Sequence, residues 1–269
     1  MLNLLDHYKS LWNLSAEGEP FETPSGLLQA VTYADAPCML KIARRDKDTR
    51  SNHVMTWWNG DGAALVLKYD ERTILMERAT GRNSLTGMAR NGRDDEASRI
   101  ICDAVARLHA HAPPYPPGLV PLDIRFRSLT LAAQQQGGIF ALCHKVAQQL
   151  LVEPKDIAAL HGDIHHANIL DFGQKGWLAI DPKGLLGEKG FDYANIFCNP
   201  DIATATAPGR LERQVQVISE AAGLEPVRLL QWIAAWAGLS AAWAIEDRTN
   251  PEPAMTVAGI ALNKLNEIN

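Results

Sequence analysis

The chain lacks any uncharged apolar run near the roughly 18 residues that cross a bilayer. Its first residues, MLNLLDHYKSLW, lack the basic start and long apolar stretch of a signal peptide. A cytoplasmic protein with no membrane partner is the expectation. Cysteine is scarce: Cys38, Cys102, Cys143 and Cys198 are far apart, form no CxxC pair and have apolar neighbours. Buried reduced thiols are therefore expected, rather than disulfides or a thiolate metal site. No internal repeat or low-complexity tract is present, which sets aside solenoids and disordered linkers. An excess of positive charge is missing too. The formal net charge is −5, which argues against a nucleic-acid surface of clustered Lys and Arg and is compatible with a cationic small molecule. Nothing in the sequence calls for an obligate protein partner.

What is present is ordinary for a globular protein: 46% hydrophobic and 21% charged residues in a chain of 269. That length holds one large domain or two small lobes. The first third reads as β-rich. Gly26–Tyr33 and Cys38–Ala43 are apolar runs around the turn signal Ala34–Pro37. A helix is predicted from Asp46 to Trp58, then a hairpin of Ala63–Lys68 and Thr73–Glu77. The remainder is mainly helical. Asp94 and Asp95 stand at an N-cap position before Ala97, Ile100, Ile101, Ala104, Val105 and Leu108 at helical spacing. A second helix is expected over Leu131–Leu151. Two short strands, Asn168–Asp171 and Trp177–Asp181, flank a Gly-containing turn, and Pro226 suits a first helical turn. Trp232, Trp236, Leu239 and Trp243 then recur as a stripe, read chiefly as core, with one or two tryptophans available to a pocket.

The segment that carries chemistry is His161-Gly162-Asp163-Ile164-His165-His166-Ala167-Asn168, followed by Ile180-Asp181-Pro182. Phosphoryl transfer needs a carboxylate to orient the attacking hydroxyl and metal ions to hold phosphates. Asp163 fits the first role. Asn168 and Asp181 supply hard oxygen ligands suited to Mg²⁺, and the hairpin between them brings them to one end. A zinc reading of His161, His165 and His166 lacks a third nitrogen or sulfur ligand at a recognisable spacing.

The same segment resembles the Brenner-type catalytic loop of the aminoglycoside phosphotransferases, relatives of the protein kinases. Further segments extend the likeness: CMLKIARR, ILMERA, TWWNGDGAA, DDEASRIICD, GWLAIDPKGLLGE, FDYANIF and WAGLSAAW. Together they resemble the aminoglycoside/hydroxyurea kinase group, in particular its streptomycin 6-kinase branch, from about Thr23 to Ala244. The resemblance implies an α+β, protein-kinase-like bilobal fold, with a nucleotide-binding lobe at 1–77 and a catalytic lobe at 78–269. It implies ATP and Mg²⁺ as cofactors, and a cationic aminoglycoside phosphorylated at an alcohol group, the streptomycin 6-hydroxyl. Hydroxyurea or a metabolite is the alternative acceptor, and a nucleotide-binding module without turnover a further reading.

Carried over to these positions, the resemblance makes Asp163 the catalytic base and Asn168 and Asp181 the metal ligands. Lys41 pairs with the α/β-phosphates, and the backbone near Glu77 and Ala79 holds adenine. Asp48, or else Asp46, is the expected acidic partner of Lys41. Of the turn Thr23-Pro24-Ser25-Gly26, which stands where a Gly-rich loop is otherwise found, Ser25 is the candidate phosphate contact. His161 braces the loop. Asp171-Phe172-Gly173 spells the metal motif of protein kinases, yet it lies in the turn before the second strand, so Asp171 reads as a turn residue. Glu188, Asp192, Glu246 and Asp247 are candidates for an acidic pocket that orients the acceptor; Asp192 is also suited to bonding the loop backbone.

Overall fold

The computed structural model describes residues 2–45 and 49–268. Its first part runs α1 (Leu2–Leu11), β1 (Ser15–Ala16), β2 (Phe21–Thr23), β3 (Gly26–Tyr33), β4 (Ala36–Ala43), α2 (Arg50–Trp58), β5 (Val66–Asp70) and β6 (Thr73–Glu77). The strands make an antiparallel sheet in the order β1-β3-β4-β6-β5, with β2 also paired to β3. Ala34 and Asp35, both at positive φ, close the β3–β4 hairpin with the left-handed pair that a two-residue turn between twisted strands favours.

Period-two alternation then divides the sheet into two faces. Leu27, Val31, Cys38, Leu40, Ile42 and Leu75 pack with Leu5 and Tyr8 of α1. The opposite face carries Leu28 directly across from Lys41, and Met39 across from Met76. One strand therefore sends Lys41 to the cleft and its neighbours Leu40 and Ile42 to the core.

The second part contains α3 (Leu85–Arg90), α4 (Asp94–His109), β7 (Val120–Pro121), α5 (Leu122–Arg125), α6 (Arg127–Gln136) and α7 (Gly138–Val152). Next come β8 (Ile157–Leu160), β9 (Ile169–Asp171), β10 (Trp177–Ala179), β11 (Leu185–Glu188) and α8 (Gly190–Ala194). The chain ends with α9 (Ile202–Ala205), α10 (Arg210–Ala222), α11 (Pro226–Glu246) and α12 (Glu252–Ile268). β9 and β10 form an antiparallel hairpin; β11 pairs antiparallel with β8 and parallel with β7. Glu225 caps α11, accepting the N–H groups of Val227 and Arg228 at 2.8 and 2.7 Å, with Pro226 inside the first turn.

Three local expectations change. The predicted helix Leu131–Leu151 is two helices, broken at Gly137 and Gly138, both at positive φ. Asp94 and Asp95 do not cap α4; they lie in its first turn and bind Arg210 and Arg213 of α10. The helix expected from Asp46 begins at Arg50 among the described residues, and Asp46 and Asp48 lie outside them.

Trp232, Trp236 and Leu239 are buried in the larger core, as a core stripe requires, while Trp243 is half-buried. That core does not stop at the sheet: Val54, Met55, Trp58 and Ile74 belong to it. Backbone bonds also cross the cleft's floor, from Ala64 N–H to Ala179 O and Ala179 N–H to Gly62 O, both 2.9 Å. The four cysteines are free, and burial pushes the thiols of Cys102, Cys143 and Cys198 up to about 12.

Candidate active site

The loop between β8 and β9 owes its shape to three groups that are not at its tip. His161 is fully buried. Its Nε2–H donates to the Ile180 carbonyl at 2.8 Å, and its Nδ1 accepts the Asp163 N–H at 3.2 Å. Burial pushes its pKa down, so the neutral ring is the species that braces the loop, stacked against Trp58 at 6.2 Å. Gly162 has φ of +81°, and a Cβ there would stand 2.7 Å from the Leu185 side chain. The buried Asp192 accepts the N–H groups of His161 and Gly162 at 2.9 and 2.6 Å, and the Nε2–H of His109 at 2.9 Å. An otherwise irregular backbone is thus satisfied and fixed.

Asp163 projects from this loop. Its Oδ1 accepts from Asn195 Nδ2 at 3.1 Å, and its Oδ2 lies 3.1 Å from Lys183 Nζ. The Asn168 amide donates to the Asp163 carbonyl at 2.8 Å, which orients that side chain by its nitrogen and leaves its oxygen as the ligand end. Asp181 follows β10 at φ of +57°. Its carboxylate takes Lys41 Nζ, Ser25 Oγ at 3.1 and 3.3 Å, and Lys183 Nζ at 3.1 Å. Burial would raise its pKa, but Lys41 and Lys183 outweigh burial and hold it at about 2. Lys183 is correspondingly raised: the Asp163 and Asp181 charges overcome the opposing effect of its own burial. Among the described residues Lys41, only 3% exposed, has Asp181 as its acidic partner.

Two cavities meet here. One, of about 420 Å³, is walled by Leu28, Met39, Met76, Leu170, Phe172 and Ile180, edged by Glu77, Arg78 and Ala79, and ends at Lys41. The other, of about 620 Å³, contains Asp163, His165, Arg125, Ser128, Lys183 and Trp243. Ser25, Asn168 and Asp181 line both. Lys41 lines only the first and Asp163 only the second. The first is mainly apolar, with a cation at its end. The second is lined by polar and apolar groups in about equal measure.

The residues expected to bind an acceptor are placed differently. Glu188 is buried, accepting from Arg228 at 2.6 and 2.5 Å, Trp232 Nε1 at 2.7 Å and Lys155 N–H at 2.9 Å. Neither it nor Asp192 lines either of these two cavities, and both carboxylates are taken up by protein donors, which corrects the expectation that they meet a substrate there. Glu246 is exposed and accepts from Ser128 Oγ at 2.9 Å, on the lip of the larger cavity. Asp247 is exposed at the end of α11, its N–H donated to Trp243 O at 2.8 Å. The larger cavity is not the acidic pocket expected: its charged lining among the described residues is Arg45, Arg50, Arg125 and Lys183 against Asp163 and Asp181.

Asp171 lies apart from this junction. Its carboxylate accepts the Asn83 N–H and Nδ2–H at 3.2 and 2.7 Å and the Gly173 N–H at 2.9 Å. It ties the segment after β6 to the β9–β10 turn.

Sequence reasoning overlooked Lys183, Asn195 and Arg125. The first two had a signal: Lys183 stands two positions past Asp181, and Asn195 lies one turn after Asp192. Arg125, whose guanidinium stacks 4.1 Å from the Trp243 ring centroid, had none.

For a metal, the donor set is the Asn168 amide oxygen and the Asp181 carboxylate. Among the described residues no cluster of three or more His, Cys, Asp or Glu side chains is disposed to hold an ion. Two hard oxygen donors that line both cavities suit Mg²⁺, which binds through few protein ligands and completes its shell with phosphates and water. They do not suit zinc.

Residues 11–248 match the family described as aminoglycoside/hydroxyurea antibiotic resistance kinase. The chain is 48% identical over 241 residues to a streptomycin 3''-kinase of Klebsiella pneumoniae, covering 88% of this chain and 90% of that one. It is 29% identical over 252 residues to a streptomycin 6-kinase of Streptomyces griseus, covering 88% and 80%. Its fold is similar to aminoglycoside phosphotransferase APH(3'')-Id from Streptomyces rimosus in complex with ADP and streptomycin, with TM-score 0.58, 17% identity, and 89% and 99% of the two chains covered.

Proposed function

The chain belongs to the aminoglycoside/hydroxyurea antibiotic resistance kinase family, and from that premise we propose that it transfers the γ-phosphoryl group of ATP to a hydroxyl of streptomycin, the 6-hydroxyl. One observation carries the reading: Lys41 and Asp163 stand in separate cavities that share Ser25, Asn168 and Asp181. A donor held in one and an acceptor in the other meet only at that junction, which is the proximity that phosphoryl transfer requires. The proposed division is a nucleotide-binding lobe of residues 1–77 and a catalytic lobe of 78–269.

In this reading adenine lies against Met39, Met76 and Ile180 and bonds the backbone at Glu77–Ala79. Lys41 leaves Asp181 for the α/β-phosphates. Ser25 is placed to reach the same phosphates. Asp163, held at both oxygens, accepts the hydrogen bond of the acceptor hydroxyl and aims its oxygen along the line of attack. Asn168 and Asp181 would hold Mg²⁺, whose charge offsets that of the transferring group. The cationic groups of streptomycin are left to Asp163, the Trp243 ring and the Glu246–Asp247 lip.

The relative at 48% identity carries a 3''-kinase name and the one at 29% a 6-kinase name, so the 3''-hydroxyl is the second reading. A coupled-ADP assay over streptomycin, other aminoglycosides, hydroxyurea and small alcohols tests the activity, and two-dimensional phosphorus–proton NMR of the product reads the position. The expected result is a streptomycin 6-phosphate whose formation falls at least about 1,000-fold in Asp163→Ala. A 3''-phosphate corrects the position alone. Turnover of hydroxyurea or a metabolite in place of streptomycin replaces the acceptor, and nucleotide binding with no acceptor found leaves a module without turnover.

A further inference from the structure

Among the described residues, Lys183 is the side chain that touches both carboxylates of the junction. Its Nζ lies 3.1 Å from Asp163 Oδ2 and 3.1 Å from Asp181 Oδ2. Lys41, by contrast, reaches Asp181 alone. The Lys183 N–H donates to His161 O at 2.6 Å, which fastens it to the root of the catalytic loop. Its side chain is 32% exposed and lines the larger cavity, so the ammonium faces open space and not packed core.

Two carboxylates brought to one point repel, and a cation between them offsets that repulsion. An ammonium is compact, with three donors that can be redistributed without moving the backbone. If Asp181 were taken up by a metal, the donor that Lys183 gives to Asp181 would be free to turn toward the cavity, with its contact to Asp163 kept.

We propose that Lys183 is a catalytic cation of this site: it spaces Asp163 and Asp181 before nucleotide binds, then donates to the transferring phosphoryl group while still held by Asp163. This rests on the phosphotransferase reading above. In the step, a bond forms between the acceptor oxygen and Pγ as the bond from Pγ to the β,γ-bridging oxygen breaks. The hydroxyl proton passes to Asp163, and Lys183 keeps its own proton throughout. A γ-directed cation separates ATP from ADP, which a merely structural lysine does not.

The test is isothermal titration of the wild type, Lys183→Met, Lys183→Gln and Lys183→Arg with Mg²⁺–ADP and with the Mg²⁺ complex of the β,γ-imido analogue of ATP. The expected result is that Met and Gln weaken the triphosphate about 10- to 100-fold, the usual range for a charged hydrogen bond. ADP affinity stays within about threefold, and Arg recovers part of the loss. Equal loss for both nucleotides, or no loss, in a variant with the wild-type circular dichroism spectrum overturns the proposal. A wild type that binds neither nucleotide overturns the phosphotransferase reading itself, and this inference falls with it.

Discussion

At the scale of single residues, the aspartate that ends β9 and the one two positions past β10 do unlike work. Asp181 is held by Lys41, Ser25 and Lys183 at the cavity junction. Asp171 is held by Asn83 and Gly173, away from it, and those bonds, Gly173's first, keep its carboxyl below the usual range. Asp181→Ala is expected to lower kcat at least about 100-fold, since it removes a group directed at the reacting phosphates, and to lower the melting temperature as well, since it leaves the buried Lys41 ammonium without its carboxylate. Asp171→Ala is expected to cost about 1–2 kcal/mol of stability, from unpaired amides of Asn83 and Gly173, with kcat within about threefold of wild type. Steady-state kinetics beside thermal unfolding separates the two. Loss of turnover in the Asp171 variant alone would reverse the assignment of the metal ligand.

At the scale of elements, Glu188 joins the end of β11 to α11 and to the segment before β8. Three donors converge on it: the Arg228 guanidinium, the Trp232 indole and the Lys155 amide. Burial alone would raise its pKa, but the Arg228 and Trp232 bonds outweigh burial and keep it below 4.5. A carboxyl with a depressed folded-state pKa adds stability above its unfolded value, and that stability is lost as the pH falls below it. Glu188→Ala should cost about 3 kcal/mol at neutral pH, because it strands a buried guanidinium and an indole N–H. Glu188→Gln should narrow its gap to wild type as the pH falls below about 4.5. Denaturant unfolding at several pH values checks both, and a pH-independent gap would show that the pair contributes little. Since Glu188 does not line the larger cavity, neither change should alter the acceptor KM.

At the scale of the molecule, the smaller cavity lies between the sheet and the β9–β10 hairpin, so one ligand contacts both. Lys41, Met39 and Met76 come from the sheet, and Leu170, Phe172 and Ile180 from the hairpin. A nucleotide there favours the folded chain by mass action. Mg²⁺–ADP at about 100 times its Kd should add about 2.7 kcal/mol and raise Tm by about 5–10 °C. Differential scanning fluorimetry reads this directly. No shift at that concentration would mean that ADP does not bind the folded chain in preference to the unfolded one.

Much of this was legible in the chain because it is encoded locally. Alternation along Cys38–Ala43 sends Lys41 to one face, and the short hairpin from Asn168 to Asp181 returns Asp181 to Asn168. The spacing of Asp192 from the catalytic loop also suggested its bonds to that loop's backbone. The helix break at Gly137–Gly138 was less legible, because a helical hydrophobic pattern runs through it and only the two glycines' backbone geometry interrupts it.

By itself, then, the sequence marked Asp163, Asn168 and Asp181 as side chains suited to phosphoryl transfer, the last two joined by a short hairpin, while Lys41 was marked by the family resemblance and by the face of its strand. Tertiary structure alone decided what surrounds them. Glu188 is an acid like Glu246 in sequence, yet one is buried on Arg228 and the other reaches a cavity's lip. Lys183 and Arg125 entered the site through contacts between elements distant in the chain. Ionic partners depend on which elements pack together, and no local period of the chain specifies that.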